Sequence, residues 1–410
     1  MITDTLWEFS SAGKIKFGYG AAEEVGFEAR RLGGSKILVV TDEGIVKVGL
    51  VEEVKDKLES EGLKTEVFDE VEPDPPIEIF ERCLRFTQRG NYNLIVGLGG
   101  GSPMDVAKVV AALSIQGGEI LDYVAPPTGK GKAILSERLP VIAIPTTSGT
   151  GSEVSPVAVI TLPREELKVG VSSNYLRPDV ALVDPKMTVT LPPKVTASTG
   201  MDALAHAIEA YTTRRFDCRP KPKRPEERPV YTGGNLLTDA IAATSIKLVA
   251  KYLRRAYNNG YDLEARRGMS MASLLAGLAF TNAGLTAIHA MAMAMGAKYH
   301  IPHGVANAIL LAHVMEFNAT SNFERFADIA RFMGEKVEGL SPREAAMKSV
   351  EAVKALAKDI NIPQNLSAFG VKKEDVSTLS KDSMKIQRLM SCNPRRITIS
   401  DLEVIFKKAL

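Results

Sequence analysis

The sequence contains few cysteines, no long apolar run and no excess of charge of either sign. Its three cysteines, Cys83, Cys218 and Cys392, lie far apart and form no CxxC pair, which excludes a zinc ribbon or a disulfide framework and suits a reducing compartment. The 51 Lys and Arg residues against 49 Asp and Glu leave a net charge of +2, too little for a general attraction to nucleic acid or membranes. No apolar run approaches the ~18 residues of a membrane-spanning helix, and the first ten residues lack the basic and apolar segments of a signal peptide. We therefore expect a cytoplasmic protein that binds neither nucleic acid nor membranes.

The chain does have the length and the apolar content of a folded protein. It has 410 residues, of which 45% are hydrophobic, and roughly 150 residues per domain gives two to three domains. In the first half, helical patterns at residues 50–62 and 77–88 alternate with short apolar runs. The strand-like runs are residues 36–40, 64–68, 93–98, 139–144 and 180–183. This alternation is typical of a parallel sheet with helices on both faces, so the sequence predicts an α/β, Rossmann-like N-terminal domain.

The character of the sequence changes near residue 192, where strand-like runs disappear. Patterns rich in Ala, Leu, Met and Lys predict helices over residues 196–212, 235–257, 263–297, 323–334 and 342–358. We therefore place an α/β domain at residues 1–190 and an all-helical domain at residues 191–410.

One segment, residues 214–229, interrupts the helical half. It contains four prolines, seven Lys or Arg and three acids, a local charge of +4, and so many prolines exclude a helix. Two interpretations stay open: a solvated surface loop, or a basic flap beside a site that binds an anion.

A glycine-rich loop follows the strand-like run at residues 93–98. Gly99, Gly100 and Gly101 let a backbone approach an anion closely. Ser102 suits a helix N-cap and Asp105 would complete a capping box. The loop therefore fits either a pyrophosphate site at a helix N-terminus or a tight structural turn.

A second polar loop, residues 145–153, follows the next strand and holds five hydroxyls and two glycines. Two such loops at neighbouring strand ends favour a dinucleotide, because open α/β sheets bind ligands outside the carboxyl ends of their strands. Asp42 also ends a strand. Its carboxylate would bind the adenosine ribose and repel a 2′-phosphate, which favours NAD over NADP; alternatively it only caps the next turn.

A group of histidines in apolar surroundings suggests a metal site. Asp202 and His206 are spaced i,i+4 in a helical pattern, which puts both on one face. His289 lies in an apolar helical run, and His303 follows Pro302. A shared divalent cation would compensate these buried polar groups, and a buried Asp–His hydrogen bond is the alternative.

These segments together resemble the iron-dependent (group III) alcohol dehydrogenase family over essentially the whole chain. The resemblance rests on residues 99–105, 146–153 and 200–209, and on His289 with Pro302, His303 and Gly304. Within the family, residues 121–124, 129–132 and 228–235 and the proline-rich segment look closest to the hydroxyacid–oxoacid transhydrogenase branch.

The resemblance implies an N-terminal dinucleotide-binding domain, a helical metal-binding domain and an active site between them. It makes Asp202, His206, His289 and His303 the ligands of Fe²⁺, with Zn²⁺ or another divalent ion as alternatives, and places Phe280 beside the nicotinamide. Its expected contacts to NAD(H), with NADP(H) disfavoured, are Asp42, Gly99, Gly100, Gly101, Ser102, Asp105, Thr146, Thr147, Thr150 and Lys168. Many family members carry a relay histidine where this chain has Met293. A homodimer is also expected.

The implied activity is hydride transfer between an alcohol or hydroxyacid and nicotinamide, with a metal polarising the substrate oxygen. Three alternatives stay open. One is a transhydrogenase with a retained cofactor, a second is a lyase resembling dehydroquinate synthase, and the third is a non-catalytic protein that binds a metal or a nucleotide.

Overall fold

A computed structural model describes residue 3, residues 5–126 and residues 128–410. The expectation that the first ten residues form no signal peptide therefore falls partly outside the described residues. The chain divides into two compact units. The sheet unit is Ser10–Leu191, and the helical unit is Pro192–Leu410 with the described part of Met1–Phe9.

The sheet unit is built on a six-stranded sheet in the order β1-β8-β5-β4-β2-β3. All its pairings are parallel, as predicted. Its strands are β1 (Lys14–Phe17), β2 (Lys36–Val40), β3 (Lys64–Phe68), β4 (Leu94–Gly99), β5 (Val141–Pro145) and β8 (Val180–Val183). All five strand-like runs of the sequence are strands of this sheet, and its edge strand β1 was not predicted.

The helices of this unit cover both faces of the sheet. They are α1 (Val25–Arg31), α2 (Glu43–Lys47), α3 (Leu50–Glu59), α4 (Ile77–Gly90), α5 (Gly101–Gln116) and α6 (Ile120–Tyr123). Side chains alternate along a strand, so Leu38 and Val40 of β2 join a core with residues of α4 and α5. Ile37 and Val39 join the opposite core, with residues of α1 and α3. The predicted two-faced α/β layer is confirmed.

An antiparallel hairpin of β6 (Val157–Leu162) and β7 (Leu167–Ser172) was missed by the sequence analysis. Buried and half-buried residues partly alternate along β6, the pattern of a strand with one covered face. Residues 157–160 are nevertheless four consecutive apolar residues, so β6 carries the same sequence signal as the strands that were predicted.

The helical unit contains α-helices and none of the strands of the two sheets. Its helices are α7 (Pro193–Thr212), α8 (Leu236–Asn258), α9 (Leu263–Ala283), α10 (Ala287–Tyr299), α11 (His303–Asn318), α12 (Phe323–Phe332), α13 (Pro342–Asp359), α14 (Val376–Lys385), α15 (Gln387–Met390) and α16 (Ile399–Ala409). The predicted all-helical character is confirmed.

The helix predictions for this unit need correction, because a break within residues 263–297 and the helices α11, α14, α15 and α16 were not predicted. The single helix expected over residues 263–297 is broken between α9 and α10, where Gly284 adopts φ 115°, a conformation open to glycine. Helix α11 was not predicted, because most of its residues are buried and apolar and it therefore lacks an amphipathic period.

The proline-rich segment, residues 214–229, contains only two short 3₁₀ turns, Phe216–Cys218 and Pro225–Glu227. Several of its basic groups are engaged within the helical unit. Arg228 Nε lies 3.1 Å from Glu8, and Arg219 donates to the Tyr231 carbonyl at 2.6 Å. These contacts favour a tethered surface loop, and its role as a basic flap stays a prediction.

No single helix among the described residues is long and apolar enough to cross a bilayer. One pair, Leu263–Ala283 with Ala287–Gly296, meets the length and composition criterion only when taken together, across a bend of 101°.

Candidate metal centre and cofactor loops

The four predicted metal ligands come together inside the helical unit. Asp202 and His206 lie one turn apart on α7 and are buried, with His206 Nδ1 3.9 Å from Asp202 Oδ2. His289 lies in the first turn of α10 and His303 begins α11. Asp202 Oδ1 lies 3.7 Å from His289 Nε2 and 4.0 Å from His303 Nε2. One ligand atom from each of Asp202, His206 and His289 falls within 4.8 Å of the others, a spread that one cation could draw together.

The side-chain amide nitrogen of Asn307 indicates whether the centre suits a cation. Its Nδ2 lies 2.7 Å from Asp202 Oδ1, 3.0 Å from His289 Nε2 and 3.2 Å from His303 Nε2. Three acceptor-capable atoms from three helices therefore converge on one electropositive group. Carboxylate and imidazole donors arranged this way suit a first-row divalent ion, so the residues present fit the metal that the sequence analysis expected. No sequence pattern pointed to Asn307.

Glu209 is a second residue that the sequence analysis left without a role. It is fully buried on α7 and its carboxylate contacts His289 Nδ1. It also accepts hydrogen bonds from Thr286 N (2.9 Å) and Oγ1 (2.6 Å) and from His289 N (3.4 Å). A carboxylate on Nδ1 fixes the ring and leaves Nε2 facing the other ligands, the usual arrangement behind a metal-binding histidine.

Glu209 also caps α10 from another helix. Thr286 is the N-cap residue of α10, and its side chain makes no cap hydrogen bond. In a capping box the N-cap residue and the third helical residue satisfy each other's N–H groups. Here one carboxylate of α7 accepts from both of those N–H groups, so the start of α10 is fixed from α7.

The carboxylates and imidazoles of the centre shift one another's pKa values. Burial alone would raise the pKa of Asp202, but His206, His289 and His303 hold it below its usual range. Burial lowers the pKa of His206 to about 4, despite Asp202. For His289, burial would lower the pKa, but Glu209 and Asp202 raise it to about 9. Two buried carboxylates thus stabilise positive charge at the point where the ligands meet.

Phe280 of α9 stacks on His206, with ring centroids 4.2 Å apart and planes 16° apart. The aromatic residue expected from the resemblance therefore lies against a predicted metal ligand. Met293, one turn beyond His289, is buried. His300 ends α10 at φ 50° and is exposed.

The predicted cofactor loops lie at one edge of the sheet unit. Gly99 of β4 is paired with Pro145 of β5. The glycine loop (residues 99–101) and the polar loop at residues 145–153, here called the threonine loop, therefore leave neighbouring strands side by side. Asp42 follows β2, which pairs with β4 on its other side. This is the carboxyl edge, where open α/β sheets bind their ligands.

The glycines are required by close contacts. At Gly99, φ is +147° and an added Cβ would lie 2.7 Å from Pro103 Cγ. A Cβ on Gly101 would lie 3.0 Å from Thr150 Cγ2. The second contact shows that the glycine loop and the threonine loop pack closely against each other.

The predicted capping by Ser102 and Asp105 is wrong. Helix α5 begins at Gly101, and its N-cap is the extended Gly100 with no side-chain cap. Asp105 points inward and accepts from Ser152 Oγ (2.6 Å) and Val159 N (2.9 Å). The bare N-terminus of α5 leaves its first N–H groups available for an anion.

Two hydroxyls of the threonine loop indicate whether a dinucleotide fits at this edge of the sheet. Among the described residues, the buried Thr146 Oγ1 and Thr147 Oγ1 have no hydrogen-bond partner. A buried hydroxyl without a partner is costly, and phosphate or ribose oxygens would satisfy both. Thr150 Oγ1 instead accepts from Ser152 N at 3.3 Å. The residues at this edge therefore fit the expected cofactor.

Asp42 caps the next turn, one of the two roles that its position left open, and its contact with a ribose stays a prediction. Its Oδ1 caps α2 by accepting from Ile45 N at 3.1 Å. Its Oδ2 lies 3.4 Å from the position of a Cβ on Gly99, and burial raises the pKa of the carboxyl.

Lys168, another predicted cofactor contact, lies on β7, and its ammonium group lies 2.6 Å from the Asp74 carboxylate.

Comparison with known proteins agrees with this pair of sites. The profile described as "Iron-containing alcohol dehydrogenase" matches residues 12–185, and "Fe-containing alcohol dehydrogenase family, C-terminal" matches residues 227–410. Long-chain-alcohol dehydrogenase 1 of Geobacillus thermodenitrificans is 40% identical, over 96% of this chain and 94% of its own. NAD-dependent methanol dehydrogenase of Bacillus methanolicus is 37% identical, over 96% and 97%. A solved 1,3-propanediol oxidoreductase superposes with a TM-score of 0.90 at 37% identity, covering 99% of this chain and 100% of its own.

The branch suggested by the sequence motifs is related but is not the best match. The mitochondrial hydroxyacid-oxoacid transhydrogenase of Rattus norvegicus is 33% identical, over 100% of this chain and 90% of its own, against 40% for the alcohol dehydrogenase. Overall identity therefore favours the alcohol dehydrogenases over this related branch.

Replacing Glu209 with Gln is expected to weaken divalent-cation binding about 10- to 100-fold, because the ring of His289 loses its charged partner. The dissociation constant is measured by titrating metal-stripped protein with Zn²⁺ against a competing chelator. Glu324→Gln, at an exposed position of α12, is the matched control. Unchanged cation affinity in Glu209→Gln would contradict the role given to Glu209.

Proposed function

Since the chain belongs to the iron-containing alcohol dehydrogenase family, we propose that it transfers hydride between a small alcohol and NAD, at a centre formed by Asp202, His206, His289 and His303. The observation that carries the proposal is the convergence of these side chains from three buried helices. The helical unit supplies the metal and substrate contacts, and the sheet unit supplies the cofactor contacts. The two units are in this sense separate functional domains.

Each residue of the centre has a task in this proposal. Asp202, His206, His289 and His303 hold the cation, which the family indicates is Fe²⁺ and for which Zn²⁺ would suit the same donors. When bound, such a cation lowers the pKa of an alcohol and polarises a carbonyl oxygen. Glu209 keeps the ring of His289 in place. Asn307 orients Asp202 by donating a hydrogen bond to the carboxylate atom Oδ1 of Asp202. Phe280 covers one face of His206 and excludes water from it.

The sheet unit binds NAD(H) in this proposal, and the cofactor supplies the hydride chemistry. Gly99, Gly100 and Gly101 with the N-terminus of α5 bind the pyrophosphate, helped by the partnerless hydroxyls of Thr146 and Thr147. Asp42 binds the adenosine ribose through the oxygen that does not cap α2. Ser102, Thr150 and Lys168 stay proposed contacts.

The substrate is an alcohol or aldehyde, or a hydroxyacid, and its identity is left to a substrate panel. The relatives described above are alcohol dehydrogenases and a transhydrogenase, which argues against a lyase and against a non-catalytic protein. Hydroxyacid–oxoacid exchange without added NAD would instead establish the transhydrogenase alternative. The free cysteines Cys83, Cys218 and Cys392 support a cytoplasmic location. The homodimer stays a prediction, and sedimentation analysis checks it.

Replacing His206 or His303 with Ala is expected to remove the metal and the activity together. The Lewis acid contributes several kcal/mol of transition-state stabilisation, so kcat should fall at least ~100-fold. Metal content and kcat are measured on the same preparations, with His313→Ala on α11 as the control. A His303→Ala variant that kept its metal and its rate would exclude His303 as a ligand.

NAD(H) is expected to be preferred over NADP(H), because the Asp42 carboxylate would face a 2′-phosphate of like charge. Asp42→Gly and Asp42→Asn should both relax the preference. The second variant is the sharper test, since Asn keeps the N-cap of α2. The measurement is kcat/KM with each cofactor. A parent enzyme that used NADPH better than NADH would refute this role for Asp42.

No relay histidine is expected to act on the substrate proton. Met293 stands one helical turn after His289 and cannot carry a proton, and His300 is exposed at the end of α10. His300→Asn should therefore leave the pH profile of kcat unchanged; Asn tolerates the left-handed backbone that His300 adopts. Met293→His should add an inflection near pH ~6–7. Loss of turnover in His300→Asn, with metal and cofactor still bound, would identify His300 as the relay.

A further inference from the structure

A buried ionic cluster lies behind the cofactor loops of the sheet unit. Its centre is Lys108 of α5, whose side chain is fully buried. The ammonium group lies 2.9 Å from Asp105 Oδ1 and donates to Ser152 Oγ at 2.7 Å. It also donates to the carbonyls of Val157 (2.6 Å), Ser152 (3.3 Å) and Ser155 (3.4 Å). No sequence motif assigned a role to this residue.

A buried ammonium is expensive unless its surroundings compensate it. Here one carboxylate, one hydroxyl and three carbonyls do so, and the carbonyls all belong to the short segment 152–157. That segment leaves the threonine loop through the 3₁₀ turn Ser152–Val154 and passes the ammonium group up to Val157, the first residue of β6. Lys108 therefore holds three carbonyls of this segment in addition to the segment's own backbone hydrogen bonds.

Asp105 extends the same cluster. Its Oδ1 accepts from Ser152 Oγ at 2.6 Å and its Oδ2 from Val159 N at 2.9 Å. Both oxygens are thus engaged within the sheet unit. The carboxylate that the resemblance placed among the cofactor contacts binds the back of the threonine loop instead.

These contacts fix the threonine loop at both ends. The ladder of β5 with β4 holds its start at Pro145, and Lys108 with Asp105 holds its end at Ser152. Between them, Thr150 packs against Gly101 at the start of α5. Since Lys108 also belongs to α5, one helix carries both the anion-binding N-terminus and the anchor of the second loop.

We propose that Lys108, with Asp105 as its counter-charge, is a positioning residue for cofactor binding. It holds residues 146–151 against the N-terminus of α5 in the form that receives the pyrophosphate and ribose oxygens of the dinucleotide. The inference rests on the proposed function, because it takes NAD(H) as the ligand of these loops.

The test compares Lys108→Met, Lys108→Arg and a control, Lys64→Met, at an exposed position of β3. NADH binding is measured by fluorescence without turnover, and KM for NAD, kcat and metal content are measured alongside. Lys108→Met should weaken NADH binding and raise KM about 10- to 100-fold, the range for lost hydrogen bonds to a charged group. At saturating NAD, kcat should stay within about threefold of the parent, and the metal content should not change, because the metal ligands lie in the other unit. Lys108→Arg should recover part of the NADH affinity.

Several outcomes would overturn the inference. NADH binding by Lys108→Met equal to the parent would do so, and so would a fall in kcat and metal content together with affinity, which would indicate general structural damage. If Lys108→Met does not fold, Ser152→Ala decides the question. It removes only the hydroxyl that joins Lys108 to Asp105, so NADH binding should weaken about threefold or more, and parent-like binding would refute the proposal. A parent protein that binds no NADH would instead refute the proposed function, so the two failures are distinguishable.

Discussion

The cost of burying charge without compensation governs both candidate sites. In the helical unit, Asp202 is buried against His206, His289 and His303, and Glu209 is buried against His289. In the sheet unit, Lys108 is buried and has Asp105 and a turn of carbonyl groups as its partners. In each case the buried charge dictates where neighbouring backbone segments must lie. The surrounding helices and strands supply the burial that makes this effect strong.

The sheet unit shows how topology alone can prepare a binding edge. Parallel strands end at the same edge, so β2, β4 and β5 deliver Asp42, the glycine loop and the threonine loop to one place. Neighbouring strands lie ~4.8 Å apart, which suits a ligand that spans several of them. The close contact of Gly101 with Thr150 favours glycine, because a Cβ there would lie 3.0 Å from Thr150 Cγ2 and the threonine side chain would have to shift.

Features that depend on neighbouring residues in the chain could be predicted from the sequence. The strand ends, the glycine loop and the i,i+4 pair Asp202–His206 are of this kind, and the resemblance added His289 and His303. Glu209 and Asn307 could not be assigned roles, because their partners come from other helices and no local spacing records them. The capping prediction for Ser102 and Asp105 failed for a related reason: the tertiary partners Ser152 and Lys108 outcompete a local cap. Helix α11 escaped prediction because burial on most sides removes the periodic pattern.

The connection from Gly284 to Thr286 has a consequence for how this protein can change over time. His289 lies three residues into α10, and Glu209 fixes the point at which that helix starts. An α-helix turns ~100° per residue, so inserting or deleting one residue between Thr286 and His289 would swing the imidazole away from Asp202. Lengthening the connection before Thr286 would leave this angular relation untouched, since the cap and the ligand would move together. Tolerance of insertions in this connection is therefore expected to stop abruptly at Thr286.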